Sequence, residues 1–375
     1  MTTAGPAVAK AADAALVRGM HAYARSDRRL AEELSHQQRL DVLAQIRDQY
    51  APIASGDHFF SSAAIGDPHV VKMRSIAASA KRALGMGKPS AHPPPSALDL
   101  RHSGVYDVSW PSTYRVWLAP VRAAYESRIE NRTAHARLYV GGGARPMAII
   151  VHGYMGGVYA FEERAWPIEW LMRLGLDVAI FTLPNHGKRA RTGPPVFPSS
   201  DPRLTNEGFG QAIVDLKSLV SWLRERGTPS VGLLGMSLGG YAAALAATLD
   251  PDLSFLVPIV PLASIADFAH DHGRLGDGPD DARLQHAALE EANRVVSPLA
   301  RPPRIAPERV LVIAGESDRV TPRAQAVRLA AHFSSDLVTM PGGHLLQFGR
   351  ETAFAQIAER LHALGITKPI RGAHP

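Results

Sequence analysis

The amino-acid sequence predicts an α/β protein with a mostly parallel central sheet and helices on both faces. From about residue 106 onward, short continuous apolar runs alternate with longer amphipathic segments, a pattern typical of buried parallel strands covered by helices. A second observation comes from Ser230–Thr248, where an apolar run, the pentapeptide Gly-Met-Ser-Leu-Gly and an Ala-rich segment follow one another. That order predicts a strand, a sharp turn and a helix.

The composition is that of a globular protein. The 375 residues, of which 46% are hydrophobic and 20% charged, suffice for one large domain with an appendage. Cysteine is absent, which excludes a disulfide scaffold, a cysteine nucleophile and a thiolate metal site. The net charge of +6 is spread along the chain. Its densest basic run, Lys188–Arg191, is expected to be a solvated loop, so no nucleic-acid partner is predicted.

The sequence gives no signal for export or membrane insertion. No uninterrupted apolar run approaches the ~20 residues that a membrane span requires. Lys10 and Asp13 interrupt the Ala-rich start of the chain, which argues against a signal peptide. We therefore expect a cytoplasmic protein without a membrane span.

Residues 1–86 are predicted to form a helical N-terminal region. Residues 1–50 alternate Ala-rich and charged segments with helical spacing of apolar positions, and a second helix is predicted over Pro68–Leu84. A linker is predicted over residues 87–105, because the proline-rich stretch Ala91–Pro95 fits neither a helix nor a central strand. The role of this region stays open between a lid, an oligomerisation element and packing for the main domain.

Residues 106–375 are predicted to form the main domain, which begins with short strands. The candidates are Tyr114–Leu118, Ala124–Glu130 and Thr133–Val140, with a hairpin turn at Asn131-Arg132. Alternating strands and helices follow. The predicted strands are Ala148–Val151, Val178–Leu183, Val231–Leu234, Phe255–Val260, Val310–Ala314 and Leu337–Met340. The predicted helices are Phe161–Leu174, Phe209–Arg226, Tyr241–Thr248, Arg323–Phe333 and Glu351–Leu364.

Residues 262–307 interrupt this alternation. The segment is polar, has helical character over Asp280–Val295, and carries prolines at both ends. An insertion between strands of an open parallel sheet lies at their C-terminal edge, where ligands bind. We therefore predict a small helical cap over a binding site.

The pentapeptide Gly235–Gly239 has the pattern G-x-S-x-G. Its glycines allow a turn too tight for a neighbouring Cβ and a close approach of helix to strand. Ser237 is then expected at the tip, with an exposed hydroxyl and a strained backbone. The alternative is that Ser237 is the N-cap of a glycine-flanked helix. The flanking strand and helix favour the first interpretation.

Two further polar residues follow the last predicted strands. Asp318 comes after the penultimate strand and His344 after the final one. Because loops at the C-terminal ends of parallel strands converge on one crevice, Ser237 and these two residues are predicted to meet there. A serine hydroxyl needs a neutral imidazole to take its proton, and a carboxylate orients that imidazole. Glu316 and Asp267 are the competing carboxylates, and both rank below Asp318.

The backbone amides of Tyr154 and Leu238 are predicted to form an oxyanion hole. Tyr154 lies in a His-Gly turn after the first core strand, and Leu238 directly follows the candidate nucleophile. The side chains of Met155, His186 and Met236 are predicted to contact substrate. For His186, a purely structural role in its loop is an equal alternative.

Four segments carry a resemblance to a known family. They are HGYMGG at 152–157, GMSLGG at 235–240, ESDRVTP at 316–322 and GGH at 342–344. In this order, each at a strand end, they make the chain resemble the α/β-hydrolase superfamily of serine hydrolases, in its esterase and lipase-like branch. The resemblance spans Tyr106–Leu364, includes the loop LPNHG, and does not extend to the first 100 residues. It implies the α/β-hydrolase fold and hydrolysis of an ester-like bond.

The predicted function is that of a serine hydrolase that cleaves a carboxylic ester of a small molecule through an acyl-enzyme, without a cofactor. Thioesterases, amidases, C–C hydrolases and acyltransferases use the same three residues and stay open as alternatives. A non-catalytic binding protein of this fold is less favoured, because no member of the triad is missing. No metal site is expected at His270-Asp271-His272, since no third ligand cluster supports one. Homo-oligomerisation, and an interaction role for residues 1–86, stay open.

Overall fold

A single mixed sheet forms the centre of the fold in the computed structural model, which describes residues 4–27, 34–54, 56–73, 100, 102–190, 196–276 and 278–368. Its strands within these ranges are β1 (His69–Met73), β2 (Gly104–Pro111), β3 (Thr133–Val140), β4 (Met147–Val151), β5 (Asp177–Phe181), β6 (Val231–Met236), β7 (Leu256–Ile259), β8 (Leu311–Gly315) and β9 (Asp336–Met340).

The strand order across the sheet is β1-β2-β3-β5-β4-β6-β7-β8-β9. Strands β1, β2 and β3 pair antiparallel with one another, and β3 pairs antiparallel with β5. From β5 to β9 all neighbours are parallel. Every residue of β4, β5 and β8 is buried, as expected of parallel strands covered on both faces. The predicted mostly parallel sheet is confirmed.

Helices cover both faces of the sheet. One hydrophobic core contains Phe209, Tyr241 and Leu329, and the opposite core contains Trp170 and Phe354. The fold class predicted from the sequence is confirmed. The α-helices of the described ranges are α1 (Ala4–Asp27), α2 (His36–Tyr50), α3 (Ala119–Glu126), α4 (Tyr159–Ala165), α5 (Ile168–Arg173), α6 (Pro202–Glu225), α7 (Leu238–Ala247), α8 (Ile265–Asp271), α9 (Pro279–Ala292), α10 (Arg323–Phe333) and α11 (Arg350–Ala363).

The N-terminal region is not wholly helical. Helices α1 and α2 lie where helices are expected, but the helix predicted over Pro68–Leu84 is wrong at its start, because residues 69–73 form β1. Strand β1 pairs with β2 at the edge of the sheet, and Val70 is its only buried residue. The segment therefore has no apolar face long enough for a buried helix. The rest of that prediction, and the proline-rich part of the linker, lie outside the described residues.

Two strand predictions before β3 are also wrong. Ala119–Glu126 is the helix α3, started by Pro120, and Tyr114–Leu118 forms no strand. The backbone N–H groups of Trp117 and Leu118 instead donate to the buried carboxylate of Glu207.

The connections around β3 and β5 differ from the predictions. The proposed hairpin turn is part of a short 3-10 helix, Ile129–Arg132, because β3 pairs with β2 across an intervening helix. The single helix predicted over Phe161–Leu174 is divided into α4 and α5 at Pro167, which cannot continue a helical hydrogen-bond ladder.

The basic run after β5 is solvated only in part, because Lys188 is exposed but Arg189 is not. The side chain of Arg189 is buried and binds the carboxylate of Asp215 at 2.7 Å, and Lys188 binds Asp107 at 3.0 Å. A buried arginine needs a paired charge, and α6 supplies it. Arg191 lies outside the described residues.

The insertion at residues 262–307 contains α8 and α9. Helix α9 packs on α2 of the N-terminal region, and the Gln285 amide is 3.0 Å from the His36 ring. Tyr50 and Phe60, from the N-terminal region, belong to the same hydrophobic core as Trp222 of α6. Among the helices in the described ranges, none is long and apolar enough to cross a membrane.

Candidate active site

Ser237 lies in the sharp turn between β6 and α7. Its φ of 55° and ψ of −117° belong to a region that residues with a Cβ rarely occupy. A Cβ on Gly235 would collide with the carbonyl of Gly239, and one on Gly239 would collide with the carbonyl of Val151. Close packing of α7 on β6 and β4 therefore requires both glycines. The side chain of Ser237 makes no capping hydrogen bond with α7, so the N-cap interpretation has no support.

The loops after β8 and β9 bring Asp318 and His344 together. The Nδ1 atom of His344 is 2.9 Å from Oδ2 of Asp318, and each residue is 7% exposed. The hydroxyl of Thr321 lies 3.0 Å from both groups. Because Asp318 faces Nδ1, the second ring nitrogen of His344 is left to act on another group.

The Asp318 carboxylate is fixed by its own loop. Its Oδ1 accepts hydrogen bonds from the N–H groups of Val320 at 2.8 Å and Thr321 at 2.9 Å. The Thr321 hydroxyl also lies 2.9 Å from the carbonyl of Val260, at the end of β7. These contacts hold the carboxylate in one orientation, as an orienting acid requires.

The environment of His344 makes it a stronger base than a free histidine. Burial lowers the pKa of the imidazole, but the charge and hydrogen bond of Asp318, together with the charge of Asp13, outweigh burial and raise that pKa above its usual value. An imidazole with a raised pKa accepts a proton more readily.

The loop after β4 faces the elbow. A Cβ on Gly153 would lie 3.4 Å from the Cβ of Ser237, so the two backbones pass close together. Gly156 donates to the carbonyl of Gly153 at 3.1 Å, which closes a turn with Tyr154 and Met155 at its centre. Met155 adopts a left-handed φ of 64°.

Leu238 is the first residue of α7. The N–H groups of the first turn of a helix have no partner within the helix. Leu238 directly follows Ser237, and the turn that contains Tyr154 faces the same elbow through Gly153.

His152 stabilises this turn through a contact with the carbonyl of Gly153. It is fully buried, its Nε2 accepts from the N–H of Leu183 at 3.0 Å, and its Nδ1 lies 2.8 Å from the carbonyl of Gly153. An accepting Nε2 places the proton of the neutral ring on Nδ1, which donates to that carbonyl. Burial lowers the pKa of His152 to about 4. The ring is therefore a neutral structural group.

The elbow and the histidine loop also touch. The amide of Gln347 lies 3.4 Å from Sδ of Met236, beside Ser237. Within the part of the chain that the structure describes, however, the hydroxyl of Ser237 makes no hydrogen bond to His344. The structure thus joins Asp318 to His344 directly and places Ser237 on a neighbouring turn.

The three residues predicted to contact substrate have different environments. Met155 is 59% exposed, and Met236 is partly exposed beside the histidine loop. His186 is fully buried, with its ring packed against Tyr154 and Phe197, and burial lowers its pKa to about 3. The geometry favours the structural alternative for His186 over substrate contact.

The competing carboxylates have other surroundings. Glu316 is exposed, whereas Asp267 lies on α8 and binds Arg328 at 2.6 Å and His286 at 2.7 Å. Asp267, His286 and Glu290 are close enough to hold a metal ion, but the Arg328 guanidinium also binds Glu290 at 3.0 Å. One guanidinium nitrogen of Arg328 thus binds both carboxylates of this cluster.

Sequence reasoning missed two residues of the site. Thr321 lies within the ESDRVTP segment, and its position three residues after Asp318 could have been noted as a hydroxyl within reach of the acid. The carboxylate of Asp13 accepts a hydrogen bond from the backbone N–H of His344, although the two residues are 331 positions apart in the sequence. No local pattern of the sequence signals that contact.

The fold and the arrangement of these loops define an α/β hydrolase. The chain belongs to the alpha/beta hydrolase family, whose model matches residues 148–359. Among curated proteins, it is similar to two from Mycobacterium tuberculosis, "Uncharacterized protein MT2702" of strain CDC 1551 / Oshkosh and "Uncharacterized protein Rv2627c" of strain H37Rv. Each is 35% identical over 208 residues, which cover 53% of this chain and 50% of the relative. The chain thus matches about half the length of these relatives.

Two solved structures of esterases match this chain, each with a TM-score below 0.5. An acetyl xylan esterase from Paenibacillus sp. R4 is 16% identical, with a TM-score of 0.47, and the match covers 84% of this chain and 98% of that one. Est1E from Butyrivibrio proteoclasticus is 17% identical, with a TM-score of 0.43 and coverage of 62% and 94%.

Proposed function

We propose that the protein is a serine hydrolase that cleaves a carboxylic ester through an acyl-enzyme intermediate. The observation that carries the proposal is the buried Asp318–His344 pair, 2.9 Å apart, on loops that reach the strained elbow of Ser237. A serine, a carboxylate and an imidazole in this chain order match the α/β-hydrolase arrangement. The roles of nucleophile, base and orienting acid are therefore assigned to these three residues.

The reaction follows from this arrangement. Nε2 of His344 takes the proton of Ser237 as Oγ attacks the ester carbonyl, and Asp318 stabilises the imidazolium that forms. The imidazolium then gives its proton to the departing alkoxide, which leaves as the alcohol. A water molecule attacks the acyl-enzyme with the same base, releases the carboxylic acid and restores the serine hydroxyl. These steps need no cofactor.

The oxyanion of each tetrahedral intermediate requires preformed donors. The backbone N–H groups of Leu238 and Tyr154 are proposed for this role, because both flank the Ser237 elbow. Loss of one such donor typically costs about 10²–10³ in rate.

The surface next to these residues favours an ester with an apolar group. Met155 is 59% exposed beside Tyr154, and Leu345 is 52% exposed beside His344. Exposed apolar side chains that flank polar site residues are typical of a substrate-binding surface. We propose a small-molecule ester as the substrate.

The deciding experiment is labelling of the protein with a fluorophosphonate probe, in parallel with hydrolysis of p-nitrophenyl esters of increasing chain length. The wild type is expected to be labelled and to turn over esters, and Ser237→Ala is expected to do neither. Ser127→Ala is the matched control, because Ser127 is an exposed serine at the end of α3. Wild-type protein that neither reacts nor hydrolyses would support the non-catalytic binding alternative and contradict the proposal.

The same measurement sorts the related activities. Thioester and amide analogues of the preferred ester are assayed with the wild type, and an added alcohol or amine tests acyl transfer. Faster turnover of a thioester or amide, or acyl transfer in preference to hydrolysis, would keep the triad and replace the ester as substrate.

A further inference from the structure

A carboxylate from the first helix reaches the loops that carry Asp318 and His344. Asp13 of α1 is fully buried. Its Oδ2 accepts hydrogen bonds from the backbone N–H groups of His344 at 2.7 Å and Arg319 at 3.2 Å, and its Oδ1 accepts one from Leu345 at 3.0 Å. One side chain thus satisfies three backbone donors in two loops.

The backbone before His344 admits this carboxylate because it lacks a side chain. A Cβ on Gly343 would lie 2.5 Å from Oδ2 of Asp13 and 3.3 Å from the Cβ of Ala9. Any larger residue would require the Asp13 carboxylate or α1 itself to move. The second glycine of the GGH segment is therefore explained by the close approach of α1.

Asp13 also places a second negative charge near the imidazole. Burial lowers the pKa of His344, whereas Asp318 and then Asp13 raise it. The nearby hydroxyl of Thr321 is neutral, and Arg319 is an exposed side chain of the same loop. Removal of the Asp13 charge should therefore lower the pKa of the base.

We propose that Asp13 is a positioning residue for the hydrolytic reaction, and that it holds the acid loop and the histidine loop at a fixed spacing. This inference rests on the proposed function, because Asp13 contacts the loops that bear the acid and the base. Without its carboxylate, three backbone N–H groups lose their acceptor, and leaving buried donors unpaired is costly. Helix α1 then contributes a side chain that positions the two loops of the active site.

The test compares wild type with Asp13→Asn and Asp13→Ala. Asp13→Asn keeps the shape of the side chain but removes the charge and turns one acceptor into a donor. Lys10→Ala, on the exposed face of α1, is the matched control. Hydrolysis of a p-nitrophenyl ester, measured as a function of pH, gives kcat, KM and the acid limb of the kcat/KM profile. A thermal melt of each variant shows whether it is folded.

We expect kcat to fall about ten- to a hundredfold in both Asp13 variants, since hydrogen bonds to a charged group are lost. KM should be unchanged, because Asp13 is fully buried and, within the described residues, its carboxylate binds only backbone N–H groups of the two loops. The acid limb of kcat/KM should move to lower pH, since the base loses a negative neighbour. Lys10→Ala should behave as the wild type.

A double-mutant cycle with Gly343→Ala adds an independent readout. The added methyl collides with Asp13 in the wild-type background but meets less of the helix in Asp13→Ala. The combined loss of kcat should therefore be smaller than the product of the two separate losses.

Several outcomes overturn the proposal. Wild-type kinetics in Asp13→Asn and Asp13→Ala would do so while leaving the hydrolase assignment intact. A second outcome is that Asp13→Asn folds and has a lower kcat, but the acid limb of its kcat/KM profile does not move. Asp13 would then only stabilise the structure and would not position the base. If Asp13→Ala fails to fold, Asp13→Asn decides. Wild-type protein that is neither labelled nor active would remove the proposed function, and this inference falls with it.

Discussion

At the residue scale, three of the five non-glycine residues with positive φ in the described ranges lie around the elbow. Ser237, Met155 and Val260 have φ values of 55°, 64° and 40° although none is glycine. The Val260 carbonyl lies 2.9 Å from the hydroxyl of Thr321, which in turn contacts the Asp318 carboxylate. Such conformations cost free energy and persist where packing enforces them, commonly at functional sites. The strain thus points to the same loops as the polar contacts.

Asp318→Asn tests the proposed orienting role of Asp318. The amide can keep the geometry but no longer holds the Nδ1 proton of His344 in the correct tautomer, and kcat is expected to fall about 10⁴-fold. Steady-state ester hydrolysis checks this. Glu316→Gln, an exposed carboxylate of the same loop, is the matched control and should leave kcat unchanged. Equal kinetics in the two variants would contradict the assignment of Asp318.

The pH profile of the wild type tests the base. The proposed base, His344, would act as the neutral imidazole, so kcat/KM is expected to rise with pH through its pKa. Since the Asp318 and Asp13 charges raise that pKa, the half-maximal point of the acid limb is expected above the usual ~6.5 for histidine. A profile of kcat/KM from about pH 5 to pH 9 measures it. An acid limb below the usual histidine range would contradict the environment described for His344.

The limits of sequence reasoning are visible at this scale. Ser237, Asp318 and His344 could be proposed because each follows a continuous apolar run, and parallel strands bring their C-terminal ends to one edge. Asp13 could not, because its contact with His344 spans 331 residues and depends on how a helix packs. The role of His186 depends on burial, which a single residue letter does not reveal.

At the element scale, prediction succeeded where burial on both faces leaves a strong pattern. Strands β4 and β8 are continuous apolar runs, and their predicted bounds lie within a residue of the observed ones. The antiparallel edge is different. Only Val70 of β1 is buried, so its residues carry little signal against a helix. Helix α3 was missed although its local sequence favours a helix, with Pro120 in the first turn and three alanines among its eight residues.

Glu207 of α6 forms hydrogen bonds to α2 and to the segment that precedes α3. Its buried carboxylate accepts from the hydroxyls of Tyr50 at 2.7 Å and Tyr114 at 2.5 Å. It also accepts the N–H groups of Trp117 at 2.9 Å and Leu118 at 3.1 Å. One side chain of α6 therefore satisfies four donors, from α2 and from the segment that precedes α3.

Glu207→Gln is expected to lower the free energy of unfolding by about 2–4 kcal/mol, because the amide group faces donors with its own N–H₂ and the charge-assisted hydrogen bonds are lost. Urea denaturation measures the change. Glu225→Gln, at the exposed end of the same helix, is the control and should have no measurable effect. A free energy of unfolding equal to that of the wild type would show that the four donors find other partners.

At the scale of the whole molecule, the N-terminal region and the family-matched part share one core. Phe59 and Phe60 lie in the same buried cluster as Phe209 and Trp222 of α6, and β1 extends the sheet. The division of the chain at residue 86 follows a change in composition, and composition does not report which side chains pack together. We therefore expect one cooperative unit in place of a core and a separate interaction module.

Phe60→Ala tests this expectation. Phe60 is fully buried, and truncation of a buried phenylalanine typically costs about 3–5 kcal/mol through lost burial and the cavity that remains. If the molecule unfolds as one unit, calorimetry should show a single transition that moves as a whole to lower temperature, with loss of ester hydrolysis following the same curve.

Phe161→Ala, at a site 62% exposed, makes the same substitution outside the core and should leave the transition in place. Two separate transitions, of which only the smaller responds to Phe60→Ala, would instead assign the first 86 residues to an independent module and remove the physical reason for Asp13 to lie in the active site.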